Sequence, residues 1–249
     1  MVLLLLTFLS GAAAAEEVVA ALSQNRVSIT TGFDGSEIVI YGAVKREAPA
    51  ATDSALDVIV AVTGPSEPVV VRKKERRFGI WINDGGVKVD AAPSVYAVAS
   101  TRALREVISH TDDLRYKVGI DHAVRLIGDT HADRYPEDYR AAVIRLRKDQ
   151  GLYFELPGTV EVTEETLFRT AIALPAQLVE GDYRARIFLL RDGQVLDVVE
   201  EGIAVRKVGL ERWIYTMAKE QSALYGILSI LVALAAGWLA SAFFRLFFP

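Results

Sequence analysis

From Ser222 to Phe244 the sequence runs for 23 residues without a charged side chain, rich in Leu, Ile, Ala and Phe. A helix of that length matches a hydrocarbon layer about 30 Å thick with some tilt. The stretch is therefore expected to be a transmembrane helix, residues 222–244. Arg245 follows at its C-terminal edge, with Leu246 to Pro249 beyond it. Residues 209–221 are expected to form a juxtamembrane helix, because Leu210, Trp213, Ile214 and Met217 recur at helical spacing. Trp213 and Tyr215 suit one headgroup level, and Trp238 with Phe243 and Phe244 suits the other.

The opposite end is apolar but shorter. Val2 to Leu9 precede Ala13-Ala14-Ala15, which reads as a signal-peptide core and an A-x-A cleavage site before Glu16. Residues 1–15 are too few to span a bilayer. No Lys or Arg precedes the apolar run, a departure from a usual signal. A signal places the following domain outside and residues 245–249 in the cytoplasm, as the positive-inside tendency expects of Arg245, and the signal carries most of this orientation. The expectation is a single-pass protein of a bacterial inner membrane with its soluble domain in the periplasm. The hydrophobic content of 51% and mean hydropathy of +0.25 become ordinary once both ends are set aside. A net charge of -4 gives no reason to expect nucleic acid as a partner. The absence of cysteine excludes disulfides, thiolate zinc sites and a Cys nucleophile.

Between the ends, short alternating runs separated by turn signals predominate. Val27, Ile29 and Thr31 lead to a turn at Asp34-Gly35 and a return through Ile38 to Val44. Leu56 to Val62 and Val69 to Val71 read as apolar strands split by Gly64-Pro65. Asn83-Asp84-Gly85-Gly86 reads as a hairpin turn between Phe78–Ile82 and Val87–Val89, and Val95 to Ala99 as a further strand. Arg102 to Ile108 and Asp112 to Lys117 read as short helices. Pro136 opens a longer one, with Tyr139, Ala142, Val143 and Leu146 on one face, stopped at Asp149-Gln150-Gly151. Strands are expected at 159–162, 167–174, 183–190, 195–199 and 203–205, and Glu180-Gly181-Asp182-Tyr183 resembles the turn into a strand of immunoglobulin-like modules. The fold class expected is mainly β: immunoglobulin-like antiparallel sandwich modules with a helical insertion, plus the C-terminal transmembrane helix. Residues 16–100 form the N-terminal β-rich half, 101–150 the insertion and 151–208 the C-terminal half.

Catalytic patterns are missing from this sequence. His110, His122 and His131 match no metal-ligand spacing. Asp129, His131, Asp133, Glu137 and Asp138 concentrate oxygen and imidazole groups, which read better as a solvated loop and helix cap than as a cation site. Ser66 lies in no G-x-S-x-G elbow, and no glycine loop has phosphate-binding form. Asp112 and Asp113 read as macrodipole partners at a helix start. The expectation is no enzyme, no catalytic residue, no metal and no cofactor. The marked charge feature is Arg72-Lys73-Lys74-Glu75-Arg76-Arg77. Such a strand belongs at an edge or a hairpin tip, protected by charge, or in contact with anionic lipid headgroups or an acidic partner surface.

Within the apolar helix Ser229, Ala233, Gly237 and Ser241 recur every four residues, flanked by Ala236 and Ala240. Small residues at that spacing let another helix backbone approach closely. Partners expected are an inner-membrane protein or a second copy through this face, and membrane lipid. Three functions compete: a membrane-anchored binding or accessory protein, a self-associating envelope structural protein, and a membrane-tethered hydrolase or metal-dependent enzyme.

A set of phrases in fixed order narrows the choice. Thr31-Gly32-Phe33-Asp34-Gly35 leads to Tyr41-Gly42-Ala43, and Val71 to Arg76 leads to Gly79-Ile80-Trp81-Ile82-Asn83 and then Pro93 to Ser100. With the C-terminal span, they make the chain resemble an alphaproteobacterial family of transmembrane proteins. The resemblance implies an alphaproteobacterial source and a signal, periplasmic domain and single-span layout. Through gene neighbourhood it also implies partnership with a multi-span permease of the sulfite-exporter type, and it implies no activity.

Overall fold

The computed structural model describes residues 16–46, 54–125, 136–209, 214 and 217–247. The expected signal peptide, His131 with its acidic neighbours Asp129 and Asp133, and Trp213 and Tyr215 lie outside the described residues. Two compact units divide the chain: Met1–Val27 with Asp34–Val205, and Ser28–Phe33 with Arg206–Pro249.

The first unit is built mainly of strands. A four-stranded sheet joins β1 (Glu16–Leu22), β3 (Ser36–Arg46), β10 (Leu167–Leu174) and β9 (Glu161–Thr163) in that order. A six-stranded sheet runs in the order β2 (Arg26–Ile29), β12 (Gln194–Lys207), β11 (Gly181–Arg191), β4 (Leu56–Thr63), β7 (Tyr96–Ser100) and β8 (Tyr153–Pro157). A third, two-stranded sheet is β5 (Ser66–Arg77) with β6 (Ile80–Pro93).

Side-chain period explains which face each strand buries. On β3, Ile38, Ile40 and Val44 are buried, and across the ladder Phe168, Thr170 and Ile172 of β10 share their face. Phe168 lies opposite Gly42, and the missing side chain there leaves room for its ring. β4 and β7 do not alternate; every residue of Tyr96–Ser100 is buried, as are Leu56 to Val62. One of their faces meets the four-stranded sheet, where β9 lies by β4 and β10 by β7. The other meets a helical layer of α1 (Leu104–Val107), α2 (His110–Tyr116), α3 (Ile120–Ala123) and α4 (Pro136–Asp149), in which α1 packs on β4 and α3 on β7 and β8. A strand covered on both sides reads as a continuous apolar run.

The helical insertion also accounts for the one parallel pairing among the described ladders, β7 with β8, Tyr96 opposite Tyr153. A parallel neighbour needs a long crossover, and residues 101–152 supply it. The other described strand pairs are antiparallel. Tyr183 donates from its hydroxyl to the Val179 carbonyl (3.0 Å) at the entry to β11. The C-terminal end of α2 is closed by Arg186, which donates to the Tyr116 carbonyl (2.7 Å), and by the Tyr96 hydroxyl on the Val118 carbonyl (2.8 Å).

Some sequence expectations are corrected. The hairpin turn lies at Phe78-Gly79, with Arg77 opposite Ile80, and Asn83–Gly86 lies inside β6. The ladder shifts register between Val71 and Lys73, so Gly85, at φ +61°, sits in a bulge. A bulge makes the same demand on backbone conformation as a tight turn, which is why its glycine resembled one. This register also sets Val69 against Val89 and Val71 against Val87. The predicted strands at 195–199 and 203–205 are one strand, β12. On α4, Val143 and Ile144 are buried and Leu146 is exposed, because the helix turns that edge toward α3 and β8.

In the second unit Val208 N–H donates to the Ile29 carbonyl (2.9 Å). Residues 217–220 are helical, and Gln221 N–H bonds the Met217 carbonyl while Tyr225 N–H bonds that of Gln221, both at 3.0 Å. This four-residue spacing carries the helical turn into α5 (Ser222–Phe247), 26 residues long. At 1.5 Å per residue α5 is about 39 Å long, and its Ser222–Phe243 stretch is long and apolar enough to cross a membrane, with none of it buried.

Candidate functional site

Three places hold the residues singled out by sequence. The first is the arm of β5 and β6. Its lower part is fixed to the domain: Val89 is fully buried, Ala92 nearly so, and α4 packs on β6. A cleft of about 360 Å³ separates α4 from β5, lined by Arg72, Lys73 and Lys74 on one side and Asp138, Tyr139 and Arg145 on the other. Beyond it the ribbon is exposed. The turn has Phe78 at φ +50° and Gly79 at φ +86°, the pair of positive angles that matches the right-handed twist of a two-residue hairpin.

Arg72, Lys73, Lys74, Arg76 and Arg77 all lie on β5, on the approach to this turn. Alternation sets Arg72, Lys74 and Arg76 on one face and Lys73 and Arg77 on the other. Arg77 Nη2 lies 3.0 Å from Glu75 Oε2, a solvent-exposed pair of small energetic weight. Among the described residues Arg72, Lys73, Lys74 and Arg76 make no ion pair. Sequence alone did not reveal the apolar tip beyond these cations, where Phe78 is 106% exposed, Ile80 65% and Trp81 68%. The misplaced turn concealed this tip inside a supposed strand. The matching valines at 69/89 and 71/87 were the signal that could have revealed it.

The second place is α5. Ser229, Ala233, Gly237 and Ser241 are all exposed on it. Ser229 Oγ donates to the Gly226 carbonyl (2.8 Å), so its hydroxyl is satisfied within the helix. A Cβ built on Gly237 meets nothing within 4 Å, so its own chain makes no demand for glycine there.

The third is a cavity of about 600 Å³ in the helical layer, lined by His110, Asp113, Asp121, His122, Lys148 and Glu155 over Leu104, Ile108 and Ile120. His122 Nε2 lies 3.4 Å from Asp113 Oδ2, and Asp113 Oδ1 accepts the Gly119 N–H at 2.7 Å. Asp112 Oδ2 accepts the Val195 N–H at 3.0 Å, and Ser109 caps α2 by accepting the Asp112 N–H. Both adjacent acids thus bond backbone amides. No hydroxyl or thiol lines this cavity, and among the described residues no group of three His, Asp or Glu is placed to hold a metal ion. Burial pushes the phenols of Tyr96, Tyr153 and Tyr183 up. All three hydroxyls bond backbone carbonyls in the core.

No curated protein matches the chain. A β-domain with an exposed basic arm, followed by an apolar helix fit to cross a bilayer, is matched along nearly its whole length by one family model, and over residues 17–246 the chain belongs to the family described as "Putative transmembrane protein (Alph_Pro_TM)".

Proposed function

We propose that this protein is a membrane-anchored accessory protein with no catalytic activity of its own. α5 holds it in a bacterial inner membrane, the β-domain lies in the periplasm, and the residues after the span lie in the cytoplasm. Its partner is a multi-span permease, of the sulfite-exporter type that the family resemblance suggests.

The observation that carries this reading is the face of α5. Four small residues in register, Ser229, Ala233, Gly237 and Ser241, lie on a helix whose Ser222–Phe243 stretch is not buried within the chain. Small residues concentrate where transmembrane helices pack closely, since the lipid supplies no hydrophobic drive between them. The open space at Gly237 supports a use for glycine outside this chain.

Purification from native membranes in mild detergent tests the reading. The wild-type chain is expected to bring down a multi-span protein, and Gly237→Leu is expected to lose it while the β-domain keeps its fold. If Gly237→Leu retains every membrane partner, the helix contact is wrong. A homodimer with no other partner assigns the face to self-association.

A further inference from the structure

The arm carries an apolar tip for which its own fold has no use. Phe78 stands at the first position of the turn, at φ +50°, where Asn, Asp or Gly is favoured and a bulky side chain is not. Its ring touches no core, and Ile80 and Trp81 beside it lie open as well. A Phe that strains the backbone and packs on nothing is explained by a contact outside the chain.

The arrangement of charge selects that contact. Arg76 pairs across the ladder with Trp81, and Arg77 with Ile80, so the two pairs lie on opposite faces of the ribbon. Here cations collar an apolar tip on both faces, which suits a surface that is anionic at its rim and apolar beneath. At about 3.3 Å per residue, Arg76 lies roughly 7 Å behind Phe78 and Arg72 roughly 20 Å. A tip sunk about 5–10 Å into the boundary between headgroups and acyl chains therefore brings Arg76 among the phosphates and leaves Lys74, Lys73 and Arg72 stepping back from them in the negative field of the surface. Trp and Phe are enriched at that boundary. A chain that also carries α5 has a bilayer at high effective concentration.

The geometry points to insertion of Phe78, Ile80 and Trp81 into the interface of an anionic lipid bilayer, with Arg76 among the lipid phosphates and Arg72, Lys73 and Lys74 behind it drawn to their negative charge. This contact goes beyond the accessory role above and is independent of whether α5 has a protein partner.

The chain contains no cysteine, so Ile80→Cys creates a single site for an environment-sensitive fluorophore. The full-length protein is reconstituted into phosphatidylcholine vesicles with and without phosphatidylglycerol. With phosphatidylglycerol, the emission is expected to shift to the blue, to be quenched by nitroxides on the acyl chains and to be shielded from aqueous iodide. Shielding is expected to fall roughly tenfold in phosphatidylcholine alone, and likewise when Arg72, Lys73, Lys74 and Arg76 are all replaced by Gln. Lys73→Arg with Lys74→Arg keeps it, and Phe78→Asn, which suits the turn, reduces it. Should the quadruple variant fail to fold, the comparison of the two lipid compositions decides with the charge set intact. Equal access to iodide in both vesicles overturns the proposal. So does shielding in native membranes that vesicles do not reproduce, which assigns the arm to an acidic protein.

Discussion

Glu16 and Arg191 tie the first strand to the eleventh. Arg191 donates twice to the Glu16 carboxylate, both at 2.9 Å, and Arg46 Nε adds a third bond at 3.0 Å. Arg191 is nearly buried, and its remaining donor reaches the Ser54 carbonyl. The Arg191 hydrogen bond holds the Glu16 carboxyl below its ordinary 4.5, against the opposing effect of burial. A carboxyl depressed on folding adds stability above its unfolded value, and that stability is lost as pH falls through the folded one. Glu16→Gln is therefore expected to cost about 2–3 kcal/mol at neutral pH by denaturant unfolding. The gap between wild type and variant is expected to begin closing as pH falls below the ordinary 4.5 and to close as it falls through the lowered folded value. Little of this was legible in the sequence, where Glu16 marked only a cleavage boundary and its partner lies 175 positions away. Asp57 was hidden in the same way. It sits buried in an apolar run, and its partners are the Thr101 hydroxyl (2.5 Å) and the Arg102 guanidinium. Local pattern cannot announce a partner that only the tertiary fold supplies.

Elements were more legible where period or turn chemistry acts locally. β3, β10 and β11 follow their alternation or apolar runs closely, and α4 starts and stops at its Pro136 and Gly151 signals. β8 was missed because it is a short parallel addition whose neighbour is chosen by the crossover and not by a hairpin. The arm was misread because two glycine-containing sites competed for one turn, and long-range pairing of valines decided between them. The sharpest constraint on an element lies at Gly42 in the middle of β3. A Cβ there would stand 2.3 Å from the Val19 carbonyl oxygen and 2.5 Å from the Phe168 ring. Backbone and ring cannot both retreat, so Gly42→Ala is expected to destabilise the domain by about 1–3 kcal/mol. Thermal unfolding followed by circular dichroism checks it, with Gly202→Ala as the control, where a Cβ meets nothing within 4 Å.

At the scale of the molecule, the uncharged run at 222–244 announced a helix able to cross a membrane, while the packing of the helical layer and the exposed tip follow from the tertiary fold. The distal arm adds surface without adding core, so the domain is expected to fold without it. Val71 and Val87 face each other in the ladder, and Asn-Gly placed between them in exchange for residues 72–86 closes a two-residue turn. This deletion is expected to change stability by less than about 0.5 kcal/mol, measured by denaturant unfolding of the full chain, and a large loss would make the arm part of the core. The tie between Glu16 and Arg191 has a further consequence, in time rather than energy. Asn25 also waits, since its carbonyl accepts the Ala204 N–H at 2.8 Å. The ribosome makes these first residues long before their partners, which arrive only as β11 and β12 are completed and α5 is about to follow. The domain therefore cannot complete its sheets until the chain has been made almost to the start of α5.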